Sequence, residues 1–298
     1  MKVSDRLLFW IPMLIWGSTW HAITYQIGAV PALNSVAYRF GLASLILFGL
    51  AVSRREPLRL PWRTQAWLAV AGVLQFSISY WCVYEAESVL PSGLMAVLFT
   101  TIVFTNSLAG AVLLKAPVRP LFIAWALAGV AGVALIFWPT LGSAPAGVGA
   151  IGVGMALMIA VVGVVSSSLG SVLTLIAKRR GAAPFGALAW SMAWGSLALL
   201  LTSALSGRSF EFSTEPAYLA SLAYLAVAGS VIAFVFYTEL AVRRGPGPAS
   251  MVAIASPIAA LAISTVLEGW RPDALALAGI ALCVVSVYGA ITANRAAS

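Results

Sequence analysis

The sequence predicts an all-α integral membrane protein: ten transmembrane helices arranged as a 5+5 inverted repeat, with both termini cytoplasmic. Three observations carry that expectation. Of 298 residues, 61% are hydrophobic and only 9% charged, and the mean hydropathy is +0.99, which leaves too few ionisable side chains to cover a water-facing globule. Apolar runs of about 20 residues, the length that crosses roughly 30 Å of hydrocarbon, recur ten times. The 17 Lys and Arg residues fall in short groups between these runs and form no single patch, so the net charge of +8 reflects topology rather than a polyanion partner. A soluble enzyme, a disordered chain and a nucleic-acid binder are all disfavoured. The expected partners are the lipid bilayer and a small molecule, with no nucleic acid.

Charges, prolines and glycine clusters divide the chain into spans at 7–29, 33–52, 65–84, 92–114 and 121–139, then 148–177, 183–205, 217–241, 249–267 and 274–293. The first follows Lys2 and Arg6 like a signal peptide, but no small-x-small cleavage site follows and the apolar pattern continues past Trp20, so it is read as retained. Arg54-Arg55 follows the second, Trp62-Arg63 precedes the third, Glu85 and Glu87 follow it, and Pro91-Ser92 opens the fourth. Arg119-Pro120 precedes the fifth, and Lys178-Arg179-Arg180 follows the sixth. Arg208 lies after the seventh, Arg243-Arg244 after the eighth, Glu268 after the ninth and Arg295 after the tenth. Connections are mostly under 12 residues, so no extramembrane domain is expected.

A cytoplasmic N-terminus puts 14 of the 17 bases on the inside and leaves only Arg39, Arg208 and Arg271 outside, as the positive-inside rule requires. Trp10, Trp62 and Trp67 then fall near inner ends as interface anchors. Small residues at four-residue spacing, such as Ala128 with Gly132 and Ser166 with Gly170, allow close helix approach. Cys82 and Cys283 sit inside apolar runs and read as small buried hydrophobes, with no disulfide framework.

The halves 1–146 and 147–298 read alike. Tyr84, Pro91-Ser92, Leu113-Leu114-Lys115, Arg119-Pro120 and Ala128-Gly129 match, in order, Tyr237, Pro248-Ala249, Val266-Leu267-Glu268, Arg271-Pro272 and Ala278-Gly279. An odd number of spans per copy turns the second copy upside down. That arrangement is typical of secondary transporters, whose sites lie near the midplane between repeats. One departure is Ser256-Pro257 midway along the ninth span, against a proline-free Phe99-Thr100 in the first half; a helix break there is expected on one side only.

With Ile15-Trp16-Gly17-Ser18-Thr19-Trp20, Tyr38-Arg39-Phe40 and the Tyr84 and Tyr237 segments, the chain resembles the drug/metabolite transporter superfamily in its EamA-type branch. The third span followed by Glu87-Ser88-Val89-Leu90-Pro91-Ser92-Gly93-Leu94 is most similar to bacterial aromatic amino acid exporters. The resemblance implies a multi-pass protein of the bacterial inner membrane that releases amino acids from the cytoplasm.

Absent chemistry narrows the reading further. No G-x-x-x-x-G-K-[ST] segment is present for ATP, and one histidine cannot supply H-E-x-x-H. Asp5 and Asp273 lie at span ends, and Ser166-Ser167-Ser168 has no partnered base, so neither catalysis nor a cofactor is expected. No carboxylate is central in a span, so transport without ion coupling is expected. His21, about 20 Å along the first helix, could be a packed histidine, line a cavity or relay protons.

Candidate substrate-binding residues are the aromatic and polar groups on shared faces: Tyr80, Trp81 and Tyr84 in span three, Thr101 in span four, Trp190 and Trp194 in span seven, with His21 and Ser256. Arg39 could pair with a substrate carboxylate or snorkel outward. A wide, largely uncharged aromatic cavity suits a zwitterion. The expectation is an alternating-access exporter of amino acids, aromatic and other neutral ones included. The rivals are an exporter of amphipathic drugs or cationic metabolites and a passive channel.

Overall fold

The computed structural model describes residues 4–115, 120–142, 149–207, 209–244 and 246–295. Lys2, Arg119, Arg208 and residues 143–148 of the stretch joining the two halves lie outside the described residues. Among the described residues every regular element is helical. The helices are α1 (Asp5–Thr24), α2 (Ala32–Ser53), α3 (Trp62–Glu87), α4 (Ser92–Leu114) and α5 (Pro120–Gly142), then α6 (Gly149–Arg179), α7 (Pro184–Leu205), α8 (216–244), α9 (Pro246–Leu267) and α10 (Ala274–Arg295). Six of them, α2, α3, α4, α6, α7 and α8, carry stretches long and apolar enough to cross a membrane; Pro120–Ile136, Ala255–Leu267 and Ala274–Gly289 are shorter apolar stretches. Leu45, Val112, Leu127, Met158 and Val266 are exposed around the outside, where a lipid-facing surface places its apolar side chains.

Helix ends depart from the expected spans where local chemistry overrides hydropathy. Helix α1 stops at Thr24, five residues before the apolar run ends, because Gly28 takes a left-handed φ of 80° and Pro31 caps α2. Pro61 is the N-cap of α3, which therefore starts at Trp62. We call the end of the bundle that carries Arg54, Arg63 and Arg179 the basic end, and the end that carries Glu85, Glu87, Glu211 and Glu268 the acidic end.

The helix break does lie on one side only, but not at the proline. Helix α9 runs through Pro257, whereas α4 is interrupted at Thr100–Thr101. There the backbone N–H groups of Thr100 and Thr101 bond to Val97 O and Leu98 O, three residues back, and the two threonine hydroxyls donate to the same carbonyls at 2.7 and 2.6 Å. This tighter turn satisfies carbonyls that a straight helix would use one residue later.

Two further irregularities have no hydropathy signature. Val73–Ile78 of α3 and Leu225–Ile232 of α8, the third helices of the two halves, are both π-helical. Ser230 Oγ donates to Leu225 O, five residues back, across the second of these.

Exchanging each helix of the first half for its counterpart in the second preserves the principal pairings. Helices α2 and α7 pack together, as do α5 and α10, and α4 and α9. Helix α1 lies against α8 and α9, and α6 against α3 and α4; α2 touches the π-helical stretch of α8, and α7 that of α3. The closest approaches are at glycines. A Cβ on Gly72 of α3 would stand 2.1 Å from Ser191 O of α7, and one on Gly279 of α10 would stand 2.6 Å from Gly132 O of α5.

Candidate functional site

Seven helices drawn from both halves enclose a central cavity of about 250 Å³, close to the lower bound for a site that holds one small molecule. Trp16, Thr19, Trp20 and Ile23 of α1 form one wall; Arg39, Gln75, Tyr80 and Val83 form another. Helix α4 contributes Phe99, Thr100, Val103 and Asn106, and Ser167, Ser171, Phe234, Tyr237 and Ser256 complete the lining. Two of the three irregular regions border it, the α4 break through Thr100 and the π-helical stretch of α3 through Gln75. Two hollows at the surface, about 340 and 300 Å³, lie beside Gln26 and Glu85 and beside His21 and Tyr25. They draw on fewer helices and gather no comparable set of aromatic and polar groups.

Arg39 does not snorkel. It is 1% exposed, its Nε donates to Ser230 Oγ at 3.1 Å, and its guanidinium carbon lies 4.8 Å from the Tyr80 ring centroid and 5.1 Å from that of Phe40. Nη1 is buried with no hydrogen-bond partner. Asn106 Oδ1, of another lining residue, is likewise buried and unpartnered, so the residues around the cavity hold one unpartnered cationic donor and one unpartnered amide acceptor. Among the described residues, no Asp, Glu or His belongs to the lining.

The aromatic walls are held by other rings. Trp20 meets Phe99 at 5.1 Å, and Trp16 meets Phe234 and Tyr237 at 5.2 and 5.3 Å while its indole N–H donates to Gly229 O. Tyr80 is fixed by Phe40 at 4.6 Å and stacks on Phe76.

Of the sequence-selected residues, Arg39, Tyr80 and Ser256 meet in this lining. The others lie elsewhere, each for a visible reason. Trp81 faces outward, bonded to Glu85 Oε1 at 3.0 Å, because it is one residue, about 100° of helix, round from Tyr80. Tyr84 donates to Gln26 Oε1 at 2.8 Å near the acidic end. Thr101 is spent on its own helix. The Trp190 indole donates to Leu58 O and stacks on Trp194 toward the basic end. His21 Nδ1 pairs with Glu268 Oε1 at 2.9 Å, outside the cavity lining. Glu268 also accepts from Ser92 Oγ and, at 2.8 Å, from Ser264 Oγ. Burial pushes its carboxyl up, but these hydrogen bonds from Ser92, His21 and Ser264 outweigh burial and hold it below the usual carboxylate range.

Trp20, Phe99, Phe234, Tyr237, Gln75 and Asn106 were not among the selected residues. For Gln75 and Asn106 a signal existed, since each is a lone amide deep in an apolar run.

Known proteins share this architecture. A solved crystal structure of a protein superposes with a TM-score of 0.69 over 99% of both chains at 22% identity, which shows the fold. The Escherichia coli K12 inner membrane transporter YedA, itself uncharacterised, is 27% identical over 281 residues, 92% of this chain and 87% of that protein. PagO of Salmonella typhimurium is 30% identical over 98 residues, 33% of this chain and 32% of that protein. The EamA-like transporter family matches the chain twice, over residues 6–138 and 154–292. With nearly its whole length accounted for by those two matches, this chain belongs to the EamA-like transporter family, and its work is carriage across a membrane rather than catalysis.

Proposed function

We propose that this chain is a multi-pass protein of the bacterial inner membrane that exports amino acids, aromatic and other neutral ones, from the cytoplasm by alternating access and without a coupled ion. The observation that carries the reading is Arg39: a buried guanidinium with an unpartnered Nη1 beside an aromatic cavity that, among the described residues, has no carboxylate in its lining. Such a site attracts a carboxylate and repels a simple cation. The substrate carboxylate binds Nη1, an apolar or aromatic side chain lies among Trp20, Tyr80 and Phe99, and the ammonium finds ring faces and the Asn106 amide oxygen. The same missing carboxylate counts against the rival exporter of cationic metabolites. It also leaves no lining group to carry a coupling proton.

The inverted-repeat reading, with halves 1–146 and 147–298, draws support from the two family matches, the paired π-helical stretches and the exchange symmetry of the packing. A location in the inner membrane agrees with the name of the YedA relative.

The test is purified protein in liposomes with a panel of labelled amino acids. Saturable uptake of neutral and aromatic amino acids, accelerated by unlabelled substrate inside and lost in Arg39→Gln, is the expected result. Preference for organic cations, or unsaturable conductance, overturns the proposal in favour of its rivals. Uphill accumulation driven by an imposed proton or sodium gradient overturns the uncoupled part.

A further inference from the structure

At the acidic end, outside the cavity lining, α1, α3, α4 and α9 meet around two carboxylates. Glu268, just past α9, pairs with His21 of α1 and accepts from Ser92 of α4 and Ser264 of α9, so it ties three helices together. Tyr25 OH lies 3.5 Å from the other His21 ring nitrogen. Glu87, the last residue of α3, is 7% exposed, and neither of its carboxyl oxygens has a hydrogen-bond partner. The groups within electrostatic reach of it are Glu268 from α9 and Arg39 from α2, with Tyr84 on its own helix. His21 of α1 is engaged by Glu268, and the exposed Glu85 by Trp81. No ion pair joins Arg39 to Glu87 among the described residues.

Two carboxylates within electrostatic reach, one of them buried, do not both ionise easily, and the proton goes to the buried one with fewer donors. Glu268 has three donors and Glu87 none. We propose that Glu87 is a proton-binding site, separate from the transport cavity, whose occupancy holds the acidic end closed. A solvent proton adds to the carboxylate to give a neutral carboxylic acid, and no other bond changes. Losing it sets a second negative charge against Glu268 and loosens the tie through His21, Ser92 and Ser264. The proton is thus a ligand of the closure and is not carried with the substrate. The inference takes from the proposed function only that the acidic end is one mouth of the cavity.

Two readouts on purified protein test it, and neither needs a substrate, so a failure of amino acid transport leaves the result interpretable. Infrared spectroscopy across a pH series should show the carbonyl stretch of a protonated carboxyl that disappears on alkalinisation and is absent from Glu87→Gln. A cysteine at the cavity-lining Ala96, with Cys82 and Cys283 replaced by alanine, should react with a charged thiol reagent at least about tenfold faster once that band is lost; in Glu87→Gln the rate should stay low at every pH. If Glu87→Gln does not fold, Glu268→Gln serves instead, because removing the facing charge should move the loss of the band to lower pH. A spectrum without such a band, a band unmoved in Glu268→Gln, or the same reactivity profile with and without Glu87 overturns the proposal.

Discussion

Arg39 has five N–H donors in a rigid plane and commits one of them, Nε, to Ser230. A charge-assisted hydrogen bond from the open Nη1 to a substrate carboxylate contributes about 1.5–3 kcal/mol, so Arg39→Gln should lower kcat/KM by about 10- to 100-fold, with Arg39→Lys less affected. Initial uptake rates in liposomes check this, with melting in detergent as the control for folding. At Glu268 the hydrogen bonds hold the folded-state carboxyl below its ordinary range. The stability they contribute is complete above the unfolded value, about 4.3, and is lost as pH falls through the lower folded value. The melting temperature of the wild type should therefore drop through the acid range, and Glu268→Gln should show a shallower acid limb. Single residues were the least legible part of the sequence. Spacing placed Tyr80, Trp81 and Tyr84 on adjacent positions, but only contacts from other helices show that Tyr80 faces the cavity while Trp81 faces outward. The partner of His21 could not be read at all, since Glu268 is 247 residues away.

Helices were legible because a transmembrane helix is written in a continuous apolar run, and the ten helices of the described residues fall where such runs do. Their ends and irregularities were less so. The π-helical stretches depend on which neighbours donate to displaced carbonyls, as Ser166 does to Leu74 O, and α9 runs through Pro257 without a break. Crossings are governed by single glycines. At Gly72 an added methyl meets the Ser191 carbonyl, which is backbone and cannot rotate away, so α3 and α7 must separate. Gly72→Ala should cost about 1–3 kcal/mol and lower the melting temperature, while Gly49→Ala, at a position with open space around the Cβ, should not. Thermal unfolding in detergent distinguishes the two.

For the whole molecule, we propose from the distribution of bases that both termini are cytoplasmic. Cysteines introduced singly as Lys2→Cys and Arg295→Cys should resist an impermeant thiol reagent in intact cells and react in inverted vesicles; labelling of either from outside defeats the assignment. The exchange of packing partners between halves also has a consequence for biosynthesis. Helices α1 and α2 find most of their partners in α7, α8 and α9, the first of which begins at Pro184, well after α2 ends at Ser53. Until then the nascent first half carries the Arg39 face toward lipid, an arrangement that hydrocarbon penalises and that quality-control proteases can recognise. Polypeptides 1–146 and 147–298 should therefore each be degraded when synthesised alone and accumulate as a co-purifying pair when synthesised together, because each supplies the other's missing neighbours.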